Sequence, residues 1–393
     1  MRAAGRLVEL EAVACRSGWV ADHPMTTPCL LGPVIRRRGD LTRSRAAVAR
    51  GALTVGFLGG SITAPKTGTR WPEPFQRWLV DRFPGLRLVI ENAALGATGS
   101  DLGAFRAGAT VLARGCDVVF VEYAVNDYGT PSDRRGRTRE GLLRQLVGAG
   151  VDVVLVHTYC GEMEADFQAG RTPPSIAEFE ALAERYGVCS VWAGLHAWRQ
   201  VGQGLMTPEE WLPDGLHPEL RGSLSYAEPV ISRCEDAWAA AASPMNAPPA
   251  VMLPAPLHRA CWERVRRVDL ASAEWSGPWV LRNTASCLGL ERVLWTTVPG
   301  STLRLRWMGR GLVLGFDFGR LSSEVRYRVD GGPWTQTERD RPEWCGDRGW
   351  YRPVTVAEDL GPGEHLLELE TIAVAVRGGI GTETALGLIG IIE

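Results

Sequence analysis

Four short segments of the sequence carry residue types that could together perform acyl transfer. The first ends an apolar run with two glycines followed by Ser61, and the others carry Gly96, Asn126 and the pair Asp214 and His217. A serine hydroxyl becomes a good nucleophile only when a neighbouring base takes its proton. His217 could be that base, and Asp214 is close enough in sequence to orient its imidazole. These residues predict nucleophilic catalysis through an acyl-enzyme.

A tetrahedral intermediate of acyl transfer also needs hydrogen-bond donors at its oxyanion. We expect three donors: the Ser61 N–H, a backbone N–H near Gly96 and the side-chain amide of Asn126. Gly96 is followed by Ala97, and either backbone N–H could serve. Each residue taken alone would more often be a helix cap or a turn residue. Their order along the chain, each at a predicted strand end, favours a catalytic site.

The elements that must position these residues alternate between strands and helices. Stretches such as PEPFQRWLVDRF and SIAEFEALAERYG have helical character and separate the apolar runs. This alternation predicts a parallel sheet covered by helices on both faces, with its reactive edge at the carboxyl ends of the strands. Gly59 and Gly60 predict a tight turn that presents Ser61 at the start of a helix. The predicted strands are Leu53–Leu58, Leu86–Glu91, Asp117–Tyr123, Val151–His157 and Val188–Trp192.

A change of periodicity divides the chain. Residues 1–50 are interpreted as an N-terminal extension, residues 51–240 as the catalytic domain and the Pro- and Ala-rich residues 241–256 as a linker. Beyond the linker, short runs alternate between apolar and polar residues and are separated by glycine turns, as in VDGGPW. Residues 257–393 therefore predict an all-β sandwich or jelly-roll domain.

Composition limits the classes of partner. The net charge is −2, which argues against nucleic acid as the main partner. No run approaches the roughly 18 apolar residues that span a membrane. The nine cysteines are odd in number and form no CxxC pair, so neither a zinc site nor a disulfide framework is indicated. We expect a cytoplasmic protein without a metal or other cofactor, and the sequence leaves the oligomeric state open.

In this order the four segments resemble the SGNH (GDSL-type) hydrolase superfamily over about residues 53–240. The sequence GGSIT, in place of GDS, resembles a branch rich in bacterial carbohydrate esterases and deacetylases, and DGLHP is the most specific of the matching motifs. The third block departs from the superfamily, because it reads AVND where GxND is usual. The superfamily's serine, glycine, asparagine, aspartate and histidine positions correspond to Ser61, Gly96, Asn126, Asp214 and His217.

The resemblance implies a flavodoxin-like three-layer α/β/α catalytic domain and a metal-independent serine esterase. The expected substrate is a small acyl ester, with acetyl foremost, on a carbohydrate or a glycosylated metabolite. Arg70 and Trp71 follow Ser61 closely, and we expect them to contact substrate, with the indole stacking on a sugar ring. Two alternatives stay open. An alcohol acceptor could intercept the acyl-enzyme, giving an acyltransferase, or the protein could bind carbohydrate without catalysis.

Overall fold

The computed structural model describes residues 31–65, 70–239, 252–283, 286–347 and 349–393. Most of the expected N-terminal extension and most of the expected linker therefore lie outside the described residues. None of the helices in the described ranges is long and apolar enough to cross a membrane.

The first part of the described chain forms a six-stranded sheet in the order β1-β6-β5-β4-β2-β3. Strand β1 is antiparallel to its neighbour, and the other five strands are parallel. Apolar clusters cover both faces of the sheet, which gives the predicted three-layer α/β/α arrangement. The elements are β1 (Ile35–Arg36), α1 (Thr42–Ala49), β2 (Ala52–Gly59), α2 (Pro72–Arg82), β3 (Arg87–Asn92), α3 (Ser100–Ala107), β4 (Val118–Glu122), α4 (Ser132–Gly148), β5 (Asp152–Val156), α5 (Glu164–Gln168), α6 (Pro174–Arg185), β6 (Cys189–Val191), α7 (Ala193–Gly202), α8 (Pro208–Trp211) and α9 (Leu220–Trp238).

The five predicted strands are confirmed as β2 to β6, with each end shifted by one residue. Strand β1 was not expected, because it falls in the segment interpreted as an extension. Strand β1 pairs with β6 at the sheet edge, and Ser44 of α1 donates a 2.7 Å hydrogen bond to Asp152 of β5. The α/β body therefore begins before the expected boundary at residue 51.

The second part of the described chain is an antiparallel β-sandwich, as predicted. One sheet has the order β15-β12-β19-β10-β9 with β7 paired to β19, and the other has the order β14-β13-β16-β11-β8. The strands are β7 (Val265–Val268), β8 (Glu274–Ser276), β9 (Val280–Arg282), β10 (Val293–Thr296), β11 (Thr302–Met308), β12 (Gly311–Phe318), β13 (Glu324–Val329), β14 (Thr335–Gln336), β15 (Trp350–Ala357), β16 (Glu364–Ile372), β17 (Val374–Val376), β18 (Gly379–Gly381) and β19 (Thr384–Ile392).

Strands β12 and β19 are buried on both faces, which a sandwich standing alone would not require. Leu314 and Ile389 pack in the sandwich core. Val313 and Leu388 belong to a second cluster together with Phe105 of helix α3. The sandwich thus shares an apolar core with the α/β domain, and this shared core fixes the sandwich beside the catalytic face.

The chain that enters the sandwich also lies along helix α4. The buried Glu140 carboxylate accepts hydrogen bonds from the Leu257 and His258 N–H groups, each at 2.7 Å, and from the Tyr186 hydroxyl at 2.6 Å. At Gly141 an added Cβ would lie 2.2 Å from the carbonyl carbon of Trp262, so only glycine admits this contact. These contacts place the segment directly after the expected linker on the surface of α4.

The shared core yields a stability prediction. Phe105 lies 5.5 Å from the Trp262 ring between centroids, and a Cβ on Gly390 would stand 2.5 Å from its ring. Phe105→Ala should therefore lower the free energy of unfolding by about 3–5 kcal/mol, measured by urea denaturation. The control is Trp344→Ala, at a residue 68% exposed, which should stay within about 0.5 kcal/mol of wild type. If Phe105→Ala lowered the free energy of unfolding by no more than Trp344→Ala does, the shared core would be contradicted.

Candidate active site

The nucleophile turn is the segment 59–64 at the carboxyl end of β2. The carbonyl of Gly60 accepts hydrogen bonds from the Thr63 N–H at 3.1 Å and the Ala64 N–H at 2.9 Å, which closes the turn. Ser61 therefore stands in a tight turn, as predicted. It is not at a helix start, since helix α2 begins only at Pro72. The prediction that Ser61 stands at the start of a helix is therefore wrong.

The structure brings the predicted base and its orienting carboxylate to this turn. The Ser61 hydroxyl lies 2.8 Å from Nε2 of His217, and Nδ1 of His217 lies 2.7 Å from Oδ2 of Asp214. With the proton of the imidazole on Nδ1 facing the carboxylate, Nε2 is free to accept the serine proton. These three side chains are separated by up to 156 positions in the sequence and form one hydrogen-bonded chain.

Asp214 is held in its ionised form. Partial burial acts against the charge, but hydrogen bonds from the His217 N–H, the His217 imidazole and the Leu216 N–H outweigh it and lower the pKa to about 2. The Oδ1 atom accepts from the His217 N–H at 2.6 Å and from the Leu216 N–H at 2.9 Å. Asp214 thus carries a negative charge beside the imidazole, which would stabilise an imidazolium at His217.

Gly96 and Asn126 converge on the same turn. A Cβ built on Gly96 would stand 3.5 Å from the Cβ of Ser61, so the Gly96 backbone lies directly beside the serine. The Leu95 N–H donates to the Gly59 carbonyl at 2.9 Å and ties this loop to strand β2. The Asn126 amide lies against Gly60, where a Cβ would come within 1.8 Å of its Oδ1. The donors expected for an oxyanion are therefore grouped around Ser61.

A buried ion pair, missed from the sequence, holds the loop that carries Asn126. Oδ2 of Asp127 accepts from Nε of Arg139 at 2.8 Å, and Oδ1 accepts from the Ser100 N–H at 2.9 Å. Arg139 also donates to the carbonyls of Tyr123 and Ser175, so both charges are well satisfied. The adjacent Asn-Asp pair in the sequence was the available signal: its first residue faces the site and its second anchors the loop.

Glu122, also missed, lies beneath the nucleophile turn. Its carboxylate accepts from the Thr158 hydroxyl at 2.9 Å, the Thr63 hydroxyl at 3.2 Å and the Gly60 N–H at 3.4 Å. Complete burial raises its pKa to about 7. A single charged residue ending the apolar run VVFVE was the signal that could have indicated it. Glu122 therefore holds the nucleophile turn at two points, the Gly60 N–H and the Thr63 hydroxyl.

Trp71 does not contact substrate in the way we expected. Its side chain is fully buried, and its Nε1–H donates to the Thr63 hydroxyl at 2.9 Å. It packs against Phe57 and Phe120 of the sheet, with ring centroids at 5.4 and 5.9 Å. An indole in this position has no face available for a sugar ring, so the prediction for Trp71 is wrong. Arg70 is also buried and contacts backbone carbonyls.

A pocket of about 250 Å³ begins beside the oxyanion donors. Ala97, Asn126 and Arg134 line it from the α/β domain, and Trp350 and Pro353 line it from the sandwich. The pocket therefore lies between the two domains, with polar groups on one side and a half-buried indole on the other. Among the described residues, no group of three or more His, Cys, Asp or Glu side chains could hold a metal ion.

Residues 57–223 match the model of the GDSL-like lipase/acylhydrolase family. This segment contains all of the predicted catalytic and oxyanion residues, from Ser61 to His217. The resemblance predicted from the sequence is confirmed, and residues 57–223 form a GDSL-like lipase/acylhydrolase domain. A comparison with curated protein sequences gave no match.

The same two-domain architecture occurs in a solved structure. A two-domain esterase, CEX, described as active on acetylated mannans, has a TM-score of 0.76 and 22% identity, over 91% of this chain and 96% of that chain. Its structure co-crystallized with mannopentaose has a TM-score of 0.75 and 21% identity, with the same coverage. At this identity the likeness establishes the shared fold of the catalytic domain and the sandwich.

Glu122 makes stability depend on pH in a defined direction. A glutamate with its ordinary pKa of 4.5 in the unfolded chain and about 7 in the folded chain stabilises the fold fully below pH 4.5. This contribution is lost as the pH rises through about 7. The free energy of unfolding of wild type, minus that of Glu122→Gln, should therefore fall by up to about 3 kcal/mol as the pH rises from about 4.5 to 7.5.

The measurement is urea denaturation at several pH values across this range. The exposed Glu209→Gln serves as a matched control and should track wild type at every pH. A difference between wild type and Glu122→Gln that stayed constant with pH would show that Glu122 does not titrate there.

Proposed function

We propose that the protein is a serine esterase that removes a small acyl group, with acetyl foremost, from a carbohydrate ester. The observation that carries this proposal is the hydrogen-bonded chain from Ser61 through His217 to Asp214, with Gly96 and Asn126 beside the serine. An unactivated serine in a structural turn would require neither this base nor this grouping of donors.

The geometry supports a two-step reaction. Oγ of Ser61 attacks the ester carbonyl carbon while its proton passes to Nε2 of His217. The negative charge that develops on the carbonyl oxygen is stabilised by the Ser61 N–H, a backbone N–H at Gly96 or Ala97, and the Asn126 amide. The carbon–oxygen bond to the alcohol then breaks, and His217 returns the proton to the leaving oxygen. Water attacks the acyl-enzyme by the same steps and releases the acid and free Ser61.

The pocket between the domains supports a carbohydrate as the alcohol part of the ester. Trp350 presents a half-buried indole, and Arg134 and Asn126 present hydrogen-bond donors. This combination of an aromatic wall with polar groups suits a sugar ring, whose faces carry C–H groups and whose edges carry hydroxyls. The activity of the structurally similar CEX on acetylated mannans supports the same class of substrate.

Loss of the nucleophile is the first test. Ser61→Ala should lower kcat for p-nitrophenyl acetate by about 10⁶-fold, because the acyl-enzyme cannot form. The exposed Ser276→Ala serves as the control and should keep full activity. Acetate, butyrate and octanoate esters compared in the same assay would also give the acyl preference. A Ser61→Ala variant that retained more than a few per cent of the wild-type rate would show that another group is the nucleophile.

Trp350 tests the sugar-binding part of the proposal. Trp350→Ala should raise KM for an acetylated oligosaccharide about fivefold to tenfold, since it removes an aromatic contact worth about 1 kcal/mol. Its effect on p-nitrophenyl acetate, which has no sugar ring, should be much smaller. Trp344→Ala provides a control on the same domain because that indole is exposed and outside the pocket. Equal losses on both esters would argue against a sugar at Trp350.

A further inference from the structure

Arg70 lies between the two segments that supply the nucleophile and the base. Its side chain is 8% exposed. Nε donates to the carbonyl of Ser61 at 3.1 Å, and one terminal nitrogen donates to the carbonyl of Pro218 at 2.8 Å. Pro218 directly follows His217, so one guanidinium binds the backbone on both sides of the Ser61–His217 hydrogen bond.

The chemistry of a guanidinium suits this position. Its N–H groups point in fixed directions from a rigid plane, so two acceptors bound to it are held at a fixed separation. A lysine ammonium is a compact charge on a flexible stem and has no such planar fork. Glu219 lies 3.7 Å from Arg70 and offsets the charge of the buried guanidinium.

The segments that carry Ser61 and His217 are far apart in the sequence and belong to different elements of the fold. Ser61 follows strand β2, whereas His217 lies between helices α8 and α9. The nucleophile turn is already held from below by Trp71 and Glu122, whose side chains both hydrogen-bond to the Thr63 hydroxyl. Arg70 differs from these supports because it reaches across to the base.

We propose that Arg70 is a positioning residue that sets the distance and orientation between Ser61 and His217. This inference rests on the proposed function, because it requires these two residues to be the nucleophile and the base. Its consequence falls on the chemical step. A misplacement of about 1 Å between reacting groups can lower a rate about 100-fold. Substrate binding in the pocket beside Asn126 should change little.

The test compares Arg70→Ala and Arg70→Lys with wild type. We expect kcat for p-nitrophenyl acetate to fall about 100-fold in Arg70→Ala and about tenfold in Arg70→Lys, with KM within about threefold of wild type. The rate at which a fluorophosphonate labels Ser61 should fall in parallel. Millimolar methylguanidinium should restore part of the Arg70→Ala rate, whereas sodium chloride at equal ionic strength should not.

The matched control is Arg77, which lies on helix α2 and pairs with Asp81 at the exposed surface. Arg77→Ala and Arg77→Lys should keep the wild-type kcat and should show no response to methylguanidinium. Urea denaturation of every variant separates a loss of stability from a loss of rate.

The experiment separates a failure of the inference about Arg70 from a failure of the proposed function. If wild type hydrolysed no ester, the proposed function would fail, and the labelling rates of Ser61 would still decide the role of Arg70. If folded Arg70→Lys kept its kcat and labelling rate within twofold of wild type, the inference would be overturned. A purely structural role of Arg70 would also overturn the inference. In that case the Arg70 variants would not fold, or their loss of activity would follow the unfolded fraction and methylguanidinium would not restore it.

Discussion

The close approach of three backbone segments at Gly60 is the constraint on which the site depends. The Asn126 amide occupies the space that a Cβ on residue 60 would fill, at 1.8 Å, and the Gly96 backbone lies against Ser61. The parallel sheet brings the carboxyl ends of β2, β3 and β4 side by side, so these loops meet without long connections. Only glycine at position 60 lets the Asn126 amide approach the nucleophile turn this closely.

Much of this arrangement could be predicted from the sequence, because its signals are local. Continuous apolar runs are typical of parallel strands buried on both faces, and the structure groups together the residues that follow three of these runs, Ser61, Gly96 and Asn126. Strand β1 has only two residues at the sheet edge, so it carries no period that a sequence pattern could reveal. Trp71 looked like a site residue because of its nearness to Ser61 in sequence, yet the chain turns it into the core.

Long-range packing was the part that the sequence could not supply. The alternating runs of the C-terminal region predicted a sandwich but not which residues of the α/β domain it contacts. Strand β19 is buried throughout, because its outer face meets Phe105 of helix α3. The same contact places Trp350 at the pocket beside Asn126. Attachment of the sandwich and formation of the pocket therefore have a common cause in the apolar surface of α3.

The central claim is that Ser61, Gly96 or Ala97, and Asn126 together surround one developing oxyanion. The most direct measurement is a crystal structure of the protein after reaction with a small alkyl phosphonate. We predict a covalent bond to Oγ of Ser61, with the phosphonyl oxygen within about 3.1 Å of the Ser61 N–H, the backbone N–H of the Gly96 loop and the Asn126 amide nitrogen. A phosphonate bound to Ser61 with its oxygen directed away from Asn126, or bound to another residue, would contradict the account.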